Sequence, residues 1–154
     1  MQITRLFFAT LIAVLFSTAS VRADDTTYQP MVAQQFFVTA KQNTNWKMAF
    51  ATAKSEQIVF MNISPQTNPA NEIGMEVHAF DQVIIIVEGT ANAILNDKSQ
   101  PVQKGDMIFI PEGTHHNVVN TDANNPLKLV SFYSSTDIPS GSVYATKADE
   151  PANE

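Results

Sequence analysis

Cysteine is absent from the 154-residue chain, which excludes disulfides, thiolate metal sites, iron–sulfur clusters and a cysteine nucleophile. Any bound metal would have to be held by nitrogen and oxygen. Basic residues are sparse, nine against fifteen acids for a formal charge of −6, and they are scattered singly. The electrostatic footprint of a nucleic-acid binder is therefore missing. No Gly-rich loop of the kind that cradles phosphates occurs. Past residue 23, no stretch of a dozen residues repeats apolar groups at i, i+3, i+4 and i+7, so helices are limited to short ones at the termini. The length suits one globular domain.

The long apolar run stands at the start. Arg5 precedes an apolar-rich stretch from Leu6 to Phe16, followed by Ser17, Thr18, Ala19 and Ser20 and then by Val21-Arg22-Ala23. This is the three-part layout of a secretory signal peptide over residues 1–23, with small residues at the −3 and −1 positions of a cut after Ala23. The run is shorter than the roughly 20 apolar residues a membrane span needs, so no stable membrane anchor is expected. The expected location is periplasmic or secreted. Cutting there removes two of the nine bases and none of the fifteen acids, which takes the net charge from −6 to −8.

Residues 24–45 read as a polar N-terminal arm with one apolar cluster, Phe36, Phe37 and Val38, as a possible edge strand. From Trp46 onward, short segments rich in Val, Ile, Phe and Tyr alternate with turn signals such as Ser64-Pro65, Asn68-Pro69, Gly89, Asn96-Asp97, Gly105-Asp106 and Glu112-Gly113. Many short strands at regular spacing predict an all-β sandwich or barrel over residues 46–138. The remainder, residues 139–154, is small and polar and is expected to be packed at its start and frayed at its end.

On a strand, residues an even number apart share a face. Glu76, His78 and Gln82 obey that parity, and Ile84 and Ile86 extend it into an apolar wall. His116 lies on a later strand behind Pro111 and Gly113. Two strands could thus gather a carboxylate, two imidazoles and an amide inside a barrel, whereas His115 points to the opposite face. Met75, Phe80, Met107, Phe109, Trp46 and Phe132 read as core or pocket lining.

Gly105, Pro111, Gly113, His116 and Asn120 reproduce the spacing G-x5-P-x-G-x2-H-x3-N without a substitution. The chain here resembles the cupin superfamily, whose second motif this is. The first cupin motif, H-x-H-x3-E-x6-G, aligns at Gly89 with replacements: Glu76 stands for its first histidine, His78 matches the second, and Gln82 stands for its glutamate. The local phrases look like those of small single-domain cupins described as resembling mannose-6-phosphate isomerase.

The resemblance implies a double-stranded β-helix, or jelly-roll, barrel with one divalent metal ion in its mouth, and a homodimer. Glu76, His78, Gln82 and His116 would be the metal ligands. Their summed charge equals that of three histidines and one glutamate, but an amide oxygen replaces an imidazole nitrogen, which weakens the site and favours oxygen-tolerant ions. Without Gln82 the set is two histidines and one carboxylate with open positions, suited to Fe(II) and also accepted by Mn, Ni and Zn. The expected function is a metal-dependent enzyme, dioxygenase-like or otherwise metal-assisted, acting on a small organic molecule. The alternative is a non-catalytic module that binds a small molecule, a carbohydrate or the metal itself. Phosphosugar isomerisation fits poorly, because no Arg or Lys cluster is present to clamp a phosphate. Beyond the ligands, no further acid or histidine is placed by the sequence for proton transfer.

Overall fold

The computed structural model describes residues 29–151; the expected leader and its cut after Ala23 lie outside the described residues. Among those residues one short helix, α1 (Phe36–Gln42), precedes nine strands. These are β1 (Lys47–Thr52), β2 (Gln57–Ile63), β3 (Gln82–Glu88), β4 (Thr90–Leu95), β5 (Lys98–Gln103), β6 (Met107–Ile110), β7 (His116–Asn120), β8 (Leu127–Tyr133) and β9 (Val143–Tyr144), and a 3-10 turn follows at Lys147–Asp149. All paired strands are antiparallel, in a six-stranded sheet ordered β6-β3-β8-β2-β1-β9 and a three-stranded sheet ordered β5-β4-β7. This is the all-β, jelly-roll architecture expected from the sequence.

Strand alternation divides the apolar residues between two cores. Ile84 and Ile86 of β3, Leu127 and Leu129 of β8, and Val59, Met61 and Ile63 of β2 face inward, where they meet Ala91, Ala93 and Val118 of the smaller sheet. The opposite face of the large sheet carries Phe60, Val87 and Val130, and α1 lies over them through Phe36 and Ala40. A small domain of this kind gains most of its stability from such burial.

The segment Phe36 to Val38 is therefore the first turn of a helix and not an edge strand. Its β-favouring residues gave the strand reading, because seven residues are too few to display a helical period. The tertiary contacts decide the matter: Phe36 and Ala40, one turn apart, share the buried face, and the Phe36 ring sits 5.3 Å from Phe60 and 5.7 Å from Phe50. Phe37 and Val38 point to solvent. Met75, Met107 and Phe109 are also exposed rather than core or pocket lining, while Trp46 is buried as expected.

The described part of the tail, through Pro151, is packed, while the expected frayed end, residues 152–154, lies outside the described residues. β9 pairs with β1, and the backbone from Ser142 to Ala145 bonds to Ala49 and Trp46, so the segment stays packed through Pro151 at the cavity described below.

Gly89 joins β3 to β4 at φ +99°, and a Cβ there would come within 3.3 Å of the Leu127 backbone. Both the left-handed backbone and the close approach penalise a side chain. Gly89→Ala is expected to lower stability by about 1–3 kcal/mol, read as a fall in denaturant midpoint at unchanged slope.

Candidate metal centre

The stretch from Asn71 to Glu76 runs beside β7 without joining a regular ladder. Asn120 donates to the carbonyl of Asn71, Ile73 donates to that of Val118, and Glu76 and His116 exchange backbone hydrogen bonds of 2.9 Å in both directions. Gly74, at φ +105°, donates to the Asn117 side-chain oxygen, and Asn117 donates in turn to the Glu72 carboxylate. Glu76 and His78 thus sit on an extended loop and not on one strand with Gln82, where the sequence reading had placed them. The alternation of faces nevertheless holds. Met75, Val77, Ala79 and Asp81 are exposed, whereas Glu76, His78, Phe80 and Gln82 turn inward to differing depths. The loop keeps the period of a strand because it remains extended against its neighbours.

The ligand atoms of Glu76, His78 and His116 lie within 4.8 Å of one another. One Glu76 carboxylate oxygen is 3.4 Å from His78 Nε2 and 3.8 Å from His116 Nε2. The His78 ring stacks on Phe80 at 4.6 Å and meets the edge of Tyr133, which fixes its plane. His116 is fully buried at the start of β7, and its Nδ1 donates to the Thr114 carbonyl at 2.9 Å. That bond places the proton on Nδ1 and turns the Nε2 lone pair toward Glu76, the usual way an outer partner prepares an imidazole for a metal.

Three buried side-chain atoms around this point lack any hydrogen-bond partner: Nε2 of His78, Nε2 of His116 and Oε1 of Gln82. Gln82 opens β3 and is buried, with its amide nitrogen donating to Ser131 Oγ at 2.7 Å, so its oxygen is left as a free, oriented acceptor. Buried acceptors are nearly always satisfied in folded proteins, and leaving them bare costs about 1–3 kcal/mol each. A cation satisfies such acceptors, and the spacing of the Glu76, His78 and His116 atoms suits an ion with ligands at about 2.0–2.2 Å. His115, as expected, faces outward and takes no part.

Electrostatics favour the ligating forms. Burial alone would push the Glu76 carboxyl up, but the adjacent His78 and the Lys47 ammonium outweigh it and the net direction is down. Burial lowers the His116 imidazole, more than the Thr114 bond raises it, so the ring is held neutral.

The wall beyond Glu76, His78 and His116 was not legible in the motifs. A cavity of about 260 Å³ is lined by Glu76 and His78, by Lys47 and Tyr133 from the large sheet, by Asp137 and Ile138 after β8, and by Pro139, Tyr144, Glu150 and Pro151 from the tail. The sequence placed no further acid here, and in the structure Asp137 and Glu150 both line the cavity. Burial, reinforced by the charge of Glu76, raises the Tyr133 phenol far above its ordinary value and keeps it protonated.

Comparison with known proteins bears on the family and the fold. The chain is 34% identical to YrkC of Bacillus subtilis over 121 residues, covering 74% of this chain and 62% of YrkC. It spans under two thirds of the length of the curated relatives it matches. BH2720 from Bacillus halodurans superposes with a TM-score of 0.73 at 32% identity, covering 81% of this chain and 96% of that one. A cupin superfamily protein from Desulfitobacterium hafniense shares the fold at a TM-score of 0.51 and 18% identity, over 59% of this chain and 77% of its own. Residues 66–133, which hold both motifs and all four expected ligands, match the family model of the cupin domain, and through that domain the chain belongs to the cupin superfamily.

Proposed function

We propose that the chain is an exported metal-dependent enzyme acting on a small organic molecule, with Glu76, His78 and His116 holding one divalent ion and Gln82 as a weaker fourth donor. The observation that carries this reading is the convergence of two bare imidazole nitrogens and a carboxylate in a buried site, with a bare amide oxygen on the adjoining strand. A divalent ion held there would supply Lewis acidity and a template for a small molecule. The chain's own groups complete the pocket. Lys47 offers a buried ammonium, Tyr133 a neutral phenol able to donate a hydrogen bond, and Ile138 a buried apolar contact. Asp137 is a carboxylate within the cavity that is neither one of the proposed ligands nor paired with Lys47. These features support dioxygenase-like or other metal-assisted chemistry better than phosphosugar isomerisation, since Lys47 is the one base on this wall.

The ion itself is Fe, Mn, Ni or Zn, by ligand type. Turnover of small acids, enediols or sugars, followed by oxygen uptake and product analysis, is expected with the loaded protein and is expected to stop on chelation. Binding of such a compound with no turnover under any of the four ions would favour the non-catalytic module instead.

Gln82→Leu is expected to weaken metal binding by roughly tenfold, less than the loss of either histidine, because an amide oxygen is a poor donor. Competition titration against a chromophoric chelator reads this directly; an unchanged affinity would take Gln82 out of the ligand set. The proposal extends to a homodimer, supported by the exposed Met107 and Phe109 on the edge strand β6. Light scattering of the purified protein tests it, and cell fractionation tests the periplasmic or secreted location.

A further inference from the structure

Glu150 reaches into the cavity from the C-terminal side. One oxygen of its carboxylate accepts a hydrogen bond from the Trp46 indole N–H at 2.8 Å, and the other pairs with the Lys47 ammonium. Both donors are buried, at 3% and 4% exposure, and they are adjacent where β1 begins. Lys47 and Glu150 face the same space as Glu76 and His78. Packing does not demand this pair, since a buried ion pair exchanged for apolar side chains of similar volume is often neutral or stabilising. One neutral and one charged donor, set to meet the two oxygens of a carboxylate, form instead a recognition site for that group.

We propose that Trp46 and Lys47 are a carboxylate-binding subsite of the metal pocket, filled in the resting protein by the chain's own Glu150. The ligand of the pocket is then a small organic acid whose carboxylate takes the place of Glu150. The inference rests on the reading of this cavity as a small-molecule site and adds the chemical class of its occupant.

Three observations support the exchange. Between Thr146 and Pro151, among the described residues, the hydrogen bonds to the rest of the protein are those of Glu150 itself and that of Lys147 to the Glu72 carbonyl. The 3-10 turn in this segment has no buried residue of its own, and its Lys147 ammonium sits 5.4 Å over the Trp46 ring, so the turn is held by polar contacts rather than by burial of its own apolar surface. The charges also balance. With a divalent ion present, Glu76, Asp137, Glu150 and Lys47 bring the cavity to neutrality; withdrawing Glu150 leaves one positive charge, which a monoanion cancels.

Trp46 is the one tryptophan of the chain, so its emission reports on this contact. The probes are acetate and its neutral isostere acetamide, titrated into full-length protein with chelator present and again with zinc. Glu150→Ala is expected to bind acetate at least tenfold more tightly than the unsubstituted protein, with no response to acetamide. Adding Lys47→Met, which removes the partner charge instead of stranding it, is expected to lose at least tenfold of that affinity. In the unsubstituted protein, saturating acetate is expected to shift Trp46 emission in the direction that Glu150→Ala does. If Glu150→Ala does not fold, Glu150→Gln replaces it, with the same order of affinities. Equal acetate affinity with and without Glu150, equal binding of acetamide, or indifference to Lys47→Met overturns the proposal. Acetate binding in chelator by a protein that takes up no metal would keep this subsite and remove the metal reading. Metal uptake without acetate binding would do the reverse.

Discussion

Replacing His116 by alanine is expected to remove stoichiometric metal binding while leaving the barrel folded. His116 is the most deeply buried of the three ligands, and its Nε2 has no other partner. Its tautomer is fixed by the Thr114 carbonyl, so the protein offers a ring already oriented for coordination. Deleting an outer partner of a metal ligand costs roughly 10–100-fold in affinity, and deleting the ligand itself should exceed that. Chelator competition reads the affinity. Thermal unfolding reads the linked loss: a metal at a hundred times its Kd stabilises the fold by about 2.7 kcal/mol, and that increment should vanish in the variant. His115→Ala is the matched control, because that neighbour lies on the exposed face and should leave both readouts unchanged.

Asn120→Ala is expected to have the opposite profile, a large loss of stability with the metal affinity of the folded protein retained. Asn120 closes the second motif and is fully buried, but its side chain turns away from the ligands. Its amide nitrogen donates to the carbonyls of Ser64 and Asn125 at 2.9 Å and toward that of Ile63 at 3.3 Å, and its oxygen accepts from the backbone of Asp122. One side chain thus ties the end of β7 to the turn after β2 and to the loop before β8. Alanine would leave several buried backbone groups bare, for an expected cost of about 2–4 kcal/mol. Denaturant unfolding measures it; a change below about 1 kcal/mol would mean that water or a rearranged turn replaces these bonds.

These two residues illustrate what could be read in advance. His116 lies beside Glu76, as the resemblance implied, and Gly105 and Gly113 both take positive φ where the expected turns fall, because turn geometry is local. The inward set of Glu76, His78 and Gln82 followed from parity, although the first two sit on an extended loop rather than a strand. Parity needs only an extended backbone, so it survived the error. The helix at Phe36–Gln42 was missed because its residues favour strands locally, and only contact with Phe50, Phe60 and Phe132 selects the helix. Lys47 and Glu150 were invisible for a related reason. They are 103 residues apart, and neither belongs to a motif, so nothing short of the folded tail resting beside β1 brings them together.

The central claim about the molecule is that three side chains and one ion meet in the barrel. The direct measurement is metal content by mass spectrometry of the protein as purified and after reconstitution, paired with X-ray absorption on the bound ion and repeated for Glu76→Ala, His78→Ala and His116→Ala. The expected result is one divalent ion per chain with two imidazole nitrogens and oxygen for the remaining ligands, lost in each of the three variants. Stoichiometric metal that survives all three substitutions, or a reconstituted protein that takes up no ion, would contradict it.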